Sequence, residues 1–457
     1  MEVKDNALFK KDMRYIIELT EPIRIIKKVY QGYGLADMSG RKIFVSGGVP
    51  GDLVTVRITH KKKDVFFGEV EKIIEKSPAR CSSGCNAFGR CGGCDWLNIM
   101  REKQLEYKEA IISEIFYKQE TGNRLPIGYG KQDKHYRNKC FYPLKAINGK
   151  IIFGMYARYS HKIVEHNTCL IEPMIFDEIA ETLCEHFMVT KTKIYDEVTG
   201  DGNIRHIGFR QEPETGDIQV IIVSRKRRMP FTNQLVRILQ DNFPQITAVI
   251  QNINPEMGNV ILGKEEKVLL GDEYLDMRVI GKKFRVAYNS FFQVNIKVME
   301  KIISFCSEKI PASGDILDAY CGTGVLGVCL AKTNQKVIGI DNSQVAITNA
   351  QSNALANGLN NCEYQCGDTL ALLPGILEKE TIGTVIFDPP RKGLTKEIIA
   401  EVVKQKIPVI AYISCNPATQ LRDIRQFSEA GYQISDMQPF DMFPQTWHIE
   451  NVVILKL

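Results

Sequence analysis

No apolar run in this 457-residue chain approaches the roughly 18 residues that a membrane-spanning helix needs. The opening segment MEVKDNALFKKDMRYIIEL has no apolar signal core followed by a small-residue cleavage site. There is no internal repeat and no low-complexity segment. Apolar residues make up 44% and charged residues 25%, which excludes a disordered or collagen-like chain. These absences lead to the expectation of a cytoplasmic protein with no membrane partner. In that reducing setting the 13 cysteines are not a disulfide framework. They are buried thiols, metal ligands or a nucleophile, and spacing must sort them.

The length suggests about three domains. Formal net charge is +5, and the first 80 residues hold 16 basic against 11 acidic side chains, so the remainder is balanced. A basic module on a neutral body points to an anionic polymer as partner. Residues 15–77 read as short strands separated by turns such as Gly32-Tyr-Gly34, Ser46-Gly-Gly-Val-Pro50 and the charged tip His60-Lys-Lys-Lys-Asp64. That pattern predicts a small OB-like β-barrel. Tyr30, Tyr33, Phe66 and Phe67 among Lys and Arg suit base stacking and phosphate binding, although some of them must fill the barrel core.

Apolar positions from Leu97 to Phe116 recur at helical spacing, predicting a helix over 97–121, and another is expected at 175–186. Residues 135–285 are otherwise strand-like. From about 296 helices alternate with apolar strands, the mark of a parallel α/β sheet. The strands end in Asp318, Asp341, Asp388 and Ser414-Cys415. Ligands bind beyond such strand ends in open α/β sheets.

Gly322-x-Gly324-x-x-Gly327 forms a strand–turn–helix loop that lets a ligand approach the backbone closely. Asp341 follows at the next strand end, suited to a ribose. Alone, this fits a dinucleotide as well as S-adenosylmethionine. An acidic Asp318 before the turn, the loop's late position in the chain and the Asp388-Pro-Pro-Arg-Lys-Gly393 strand end, which resembles the motif with which methyltransferases present the target base, favour the methyl donor. A nicotinamide-dependent oxidoreductase is the alternative.

Cys415, in Ser414-Cys-Asn-Pro417, is a candidate nucleophile on the same rim. If residues 433–437 and 451–457 form a hairpin, the last strand is antiparallel and Glu450 comes beside Cys415 as a general base. Methylating uracil C5 requires such a pair. The carbon becomes nucleophilic only after a thiolate adds at C6, and a base must then remove the C5 proton. Asp388 or Arg391 would hold the base edge. The target base must be unstacked to enter.

At these residues the chain resembles the RNA (uracil-5-)-methyltransferase family, from the barrel to the last strand. The resemblance makes Cys415 the nucleophile, Glu450 the proton-abstracting base and Asp388 the uracil-contacting aspartate. It implies cofactor contacts from Gln293, Tyr320, Asp341 and Asp368, together with Gly322, Gly324 and Asp388. The barrel looks like the family's TRAM domain, and Cys85, Cys91 and Cys94 (C-x5-C-x2-C) with Cys169 look like its cluster ligands. These features imply the branch that acts on 23S ribosomal RNA and carries a 4Fe–4S cluster. On spacing alone, close cysteines plus a distant one fit zinc as well, and His166 makes a three-cysteine, one-histidine site conceivable. Cys81 is a fifth thiol nearby. Cys140, Cys184, Cys306, Cys321, Cys329, Cys362 and Cys366 read as structural.

Tyr136-Arg-Asn-Lys139 resembles another family segment and suits salt bridging or RNA contact. The expected architecture is α/β plus β. A TRAM-like barrel spans 15–77, a metal-bearing, mainly-β central domain spans 78–96 and 128–285, and a Rossmann-like methyltransferase domain with an antiparallel last strand spans 97–127 and 286–457. A monomer is expected. Methylation of transfer RNA, or RNA binding without catalysis, are the other readings.

Overall fold

The computed structural model describes residues 14–166, 168–332 and 335–457. The opening segment lies outside the described residues up to position 13. The chain divides into two compact units. One comprises residues up to Gly84, Gly93–Tyr117 and Phe443–His448. The other comprises Cys85–Gly92, Lys118–Met442 and Ile449–Leu457.

In the smaller unit, strands Ile23–Lys28, Gly34–Met38, Arg41–Ser46, Val65–Glu75 and Leu53–Lys62 pair in that order, and the last two pair with each other, while Leu53–Lys62 also pairs with Ile23–Lys28. The result is a closed five-stranded barrel, with Arg14–Leu19 added outside on Leu53–Lys62. Alternate residues face in, as the two-residue strand period dictates. Ile25, Ala36, Ile43, Val45, Val54, Val56, Ile58 and Phe66 fill the interior. Phe66 is therefore core. Phe44 and Phe67, opposite each other across the ladder, are only half-buried and stack at 5.3 Å. The His60 ring lies parallel to Phe67 at 4.6 Å and Tyr33 meets Phe67 edge-on at 5.9 Å. The displayed aromatic face is thus Tyr33, Phe44, His60 and Phe67. Tyr30 is turned to Trp447, 5.3 Å away.

The expected long helix is shorter, Arg101–Ile115. It was expected with the catalytic sheet, yet it belongs to the barrel unit. Its buried polar side chains give the reason. Gln104 donates to the carbonyls of Trp96 and Ile99 and to the Gln445 side chain, at 2.8–3.0 Å. Lys108 donates to the Phe443 carbonyl at 3.2 Å. Both anchor the helix to the 443–448 segment.

In the larger unit a seven-stranded sheet runs in the order Ile163–Glu165, Lys150–Tyr156, Lys139–Ile147, Ile204–Gln211, Ile218–Ser224, Ile246–Ile253, Glu265–Leu270. Helices Met174–Val189 and Thr232–Asn242 share one apolar core with it. An eight-stranded sheet follows, in the order Cys362–Cys366, Val337–Asp341, Asp315–Asp318, Ile382–Phe387, Val409–Ser414, Glu450–Lys456, Gln433–Phe440, Thr121–Arg124. Only Glu450–Lys456 runs antiparallel to its neighbours among these strands. The expected hairpin is present. No helix among the described residues is long and apolar enough to cross a membrane.

Asp52 closes the barrel's end. Fully buried, its carboxylate accepts from the main-chain nitrogens of Val49 and Ser77 and pairs with Arg80 at 2.6 Å. Removing one partner of a buried ion pair strands the other charge. We expect Asp52→Ala to cost about 3–5 kcal/mol in urea unfolding followed by circular dichroism.

Candidate active site

The site is built at the carboxyl ends of the parallel strands of the eight-stranded sheet. Strand Val409–Ser414 is wholly buried and delivers Cys415 to the rim. The neighbouring strand Glu450–Lys456 runs the other way, and Asn451 pairs with Ser414. Antiparallel direction thus brings the start of one strand to the end of the other. Gln420 locks this register. Buried between the strands, its amide donates to the carbonyls of Tyr412 (2.8 Å) and Asn451 (3.1 Å) and accepts from the Asn451 side chain (2.8 Å).

Four side chains meet there: Cys415, Glu450, Asp388 and Arg391. Burial pushes the Cys415 thiol up to about 11, and the negative charges of Glu450 and Asp388 push the same way, while Arg391, donating toward the sulfur, opposes them. Burial and Asp388 hold Glu450 well above the usual carboxylate range, and Arg391 again opposes. Asp388 is also raised by desolvation. Two carboxyls sharing one dry site do not both ionise readily, so at neutral pH the pair retains a proton. One oxygen of Glu450 is buried with no hydrogen-bond partner. An unpaired buried carboxyl oxygen is costly unless a substrate proton is brought to it.

The loop carrying Arg391 is strapped to helix Pro417–Glu429. The Arg391 carbonyl accepts from the Asn416 amide (3.0 Å) and the Thr419 hydroxyl (3.2 Å). Buried Asp423 accepts from the Leu394 main chain and the Tyr412 hydroxyl, both at 2.8 Å, and pairs with Arg422. A Cβ on Gly393 (φ +74°) would lie 2.4 Å from an Asp423 oxygen, so glycine is required there.

The nucleotide loop follows Asp315–Asp318. Gly322 and Gly324 both have positive φ, and a Cβ on Gly322 would meet nothing within 4 Å, leaving the backbone open to a ligand. Asp341 accepts from the main-chain nitrogens of Gly322 (3.1 Å) and Ser343 (2.9 Å). One oxygen of buried Asp318 accepts from Gly327 at 3.1 Å, and the other has no partner. Burial raises Asp318 to about 7, opposed by that hydrogen bond and reinforced by Asp388 and Asp341. An open glycine turn with an orphaned carboxyl oxygen beneath it fits a cationic ligand such as S-adenosylmethionine. Tyr320 stands 6.4 Å from the Phe387 ring. Asp368 uses its carboxylate as the cap of helix Thr369–Lys379, accepting from Leu370 and Ala371.

Gln293 lies on a loop that sequence reasoning did not link to the central sheet. Asn138 donates to the Gln293 carbonyl (3.3 Å) and Lys139 to those of Tyr288 and Ser290 (3.2 and 3.3 Å). Fully buried Arg210 donates to Ala287 and Ser290. Burial and the nearby Arg210 and Arg137 charges lower Lys139 to about 6, so it acts as a neutral donor. Residues 136–139 are loop fasteners; Arg137 is 3.9 Å from Glu172.

Among the described residues no three His, Cys, Asp or Glu side chains are placed to hold a metal ion. The metal-bearing character expected of the central domain is therefore not matched by a formed cage. The motif straddles the division of the chain: Cys85, Cys91 and Cys169 belong to the larger unit and Cys94 to the smaller. His166 is a core residue, packed against Tyr142 and Phe153, with Asp177 at 3.6 Å. That setting gives no support to a three-cysteine, one-histidine zinc site. Cys81 is exposed and directs its thiol to the Leu97 carbonyl. Of the seven thiols read as structural, Cys366 is exposed rather than packed.

A family model described as tRNA (uracil-5-)-methyltransferase matches residues 100–366 and 369–457. An uncharacterized RNA methyltransferase of Listeria innocua is 33% identical over 456 residues, 99% of each chain. One from Halalkalibacterium halodurans is 32% identical over 439 residues, 94% of this chain and 95% of its own. The crystal structure of Pyrococcus abyssi tRNA (uracil-54, C5)-methyltransferase with S-adenosyl-L-homocysteine superposes with a TM-score of 0.77 at 25% identity, covering 95% of this chain and all of the other.

A thiol at about 11 is almost wholly protonated at pH 7, with on the order of one thiolate in 10⁴. In the resting protein we expect Cys415 alkylation by iodoacetamide, followed by peptide mass spectrometry, to accelerate about tenfold per pH unit from 7 to 10. A plateau already at pH 8 would contradict the raised thiol.

Proposed function

Because the chain belongs to the RNA (uracil-5-)-methyltransferase family, we propose that it methylates uracil C5 in 23S ribosomal RNA, acting as a cytoplasmic monomer and passing through a covalent bond between Cys415 and C6. What supports the reading is the Ser414–Asn451 pairing, which puts a thiol, two carboxyls and a guanidinium on the rim that carries the open glycine turn.

S-adenosylmethionine, when bound, supplies an electrophilic methyl group. Gly322, Gly324, Asp318, Asp341, Tyr320 and Gln293 would hold it. Asp388 holds the uracil edge by accepting from N3–H. Arg391 stabilises the Cys415 thiolate as it forms. The thiol proton passes to solvent, the thiolate adds to C6, the C5–C6 π electrons move to C5, and C5 bonds the methyl carbon as that carbon's bond to the donor sulfur breaks, so that S-adenosylhomocysteine leaves. Glu450 then removes the C5 proton, the double bond re-forms, and the C6–S bond breaks to return the thiolate. A raised carboxyl pKa suits that step, because a more basic carboxylate accepts a carbon-bound proton more readily.

The basic barrel with its Tyr33, Phe44, His60 and Phe67 face supports RNA as substrate. Transfer RNA is the second reading, favoured by the substrate of the Pyrococcus abyssi relative. A 4Fe–4S cluster on Cys85, Cys91, Cys94 and Cys169 belongs to the proposal as a structural element, and no step runs through it. Anaerobically prepared protein would then contain about four irons per chain; zinc or no metal removes this element.

Cys415→Ala should abolish formation of 5-methyluridine, and undiminished transfer would defeat the mechanism. Glu450→Gln should accumulate a denaturant-resistant protein–RNA adduct on gels, since addition and methyl transfer proceed while elimination stalls. Mass-spectrometric mapping of RNA from cells lacking the protein should show one or more 5-methyluridines lost from 23S ribosomal RNA; loss from transfer RNA instead would select the second reading.

A further inference from the structure

A run of four cations, Arg225-Lys-Arg-Arg228, leaves the end of the central strand Ile218–Ser224. Its backbone is fastened from within. Buried Gln251 donates to the carbonyls of Lys226 and Arg227, both at 3.1 Å, and to the Ser224 hydroxyl at 2.8 Å. Asn203 accepts from the Lys226 nitrogen at 2.8 Å and donates to the Arg228 carbonyl at 3.3 Å. Neutral side chains thus fix the turn while the charged ones project outward. Arg225 is tied back, donating to the Gly200 carbonyl and lying 5.9 Å from the Tyr195 ring. Arg227 pairs with Glu265 at 3.0 Å, an exposed pair of little worth. Lys226 and Arg228 are exposed and make no ion pair among the described residues.

Three residues beyond Arg228, Phe231 is 53% exposed and holds φ +60° at the cap of helix Thr232–Asn242. A bulky residue in the left-handed region is sterically unfavourable. Burial does not offset that cost here, since the ring faces solvent beside the cations.

The opposite end of the same strand adjoins the Gln293 loop. Ile218 pairs with Gln211, whose nitrogen bonds the Asn138 carbonyl, and Asn138 holds Gln293. Seven strand residues span about 20 Å. The cations therefore leave the end of the strand that is remote from the Gln293 loop.

We propose that Lys226, Arg228 and Phe231 form a second docking site for the substrate RNA. The cations bind backbone phosphates, and the Phe231 ring stacks on an unpaired base, several nucleotides from the methylated uridine. The proposal rests on the methyltransferase reading above.

The test uses the RNA transcript on which the wild-type protein forms 5-methyluridine (23S ribosomal RNA on the present reading) and the isolated hairpin that contains the uridine. For the long transcript, Lys226→Ala with Arg228→Ala should weaken binding about tenfold and shrink the slope of log affinity against log salt by about 1.5, as two lost phosphate contacts require. Phe231→Ala should weaken it about fivefold or more. Affinity and turnover on the hairpin should stay at wild-type values, which also certifies folding. Unchanged affinity and slope on the long transcript would overturn the docking site while leaving the methyltransferase intact. Equal losses on hairpin and long transcript would also overturn it, because the contact would then not be remote. A wild-type protein that methylates no RNA would overturn the parent reading instead.

Discussion

Ser414 and Asn451 face each other across two strands that run in opposite directions, and the rest of the site depends on that register. A slip of one residue would turn every side chain of the last strand to the other face and carry Glu450 away from Cys415. The sheet guards against this with Gln420, which has no exposed surface and whose amide is bonded to both strands at once. A neutral amide is well suited to the task, since it fixes geometry without adding charge to a rim already crowded with carboxyls.

That crowding explains the resting chemistry. Asp318, Asp388 and Glu450 are all desolvated, and each raises the pKa of at least one neighbour. Arg391 acts on both Cys415 and Glu450, and its main chain is held by Asn416 and Thr419, residues just beyond Cys415. Burial and the two carboxyls together hold the pKa of the Cys415 thiol up, with Arg391 opposing them. At the Gln293 loop burial, with the nearby Arg210 and Arg137 charges, lowers the pKa of Lys139, which donates to the carbonyls of Tyr288 and Ser290.

Local patterns in the chain revealed much of this. The glycine loop, the strand-terminal acids and the barrel's turns are short-range signals, and the folded elements follow them. Glu450 needed a conditional argument, because only the hairpin makes it a neighbour of Cys415. The supports were not legible. Gln420, Asp423, Lys139 and Arg210 act across long stretches of chain, and nothing in their local sequence distinguishes a buried strut from an ordinary polar residue. The aromatic face was partly misassigned for a simpler reason. Phe66 and Phe67 are adjacent, so the strand period sends one into the core and the other out. The helix at 101–115 was assigned to the wrong neighbour because its apolar face is visible in the sequence, whereas the partners of buried Gln104 and Lys108 are not.

The segment 443–448 joins the last two strands of the catalytic sheet yet belongs to the barrel unit, with Trp447 packed over Gly32 so closely that a Cβ there would lie 2.8 Å away. On the ribosome, the barrel strands are all made by residue 75, but the unit they belong to lacks a piece until residue 448 has emerged. The barrel strands must therefore wait for a segment made long after them. Glu450 follows that piece by two residues, so completion of the barrel unit and arrival of the carboxyl beside Cys415 are coupled in time as the chain is translated.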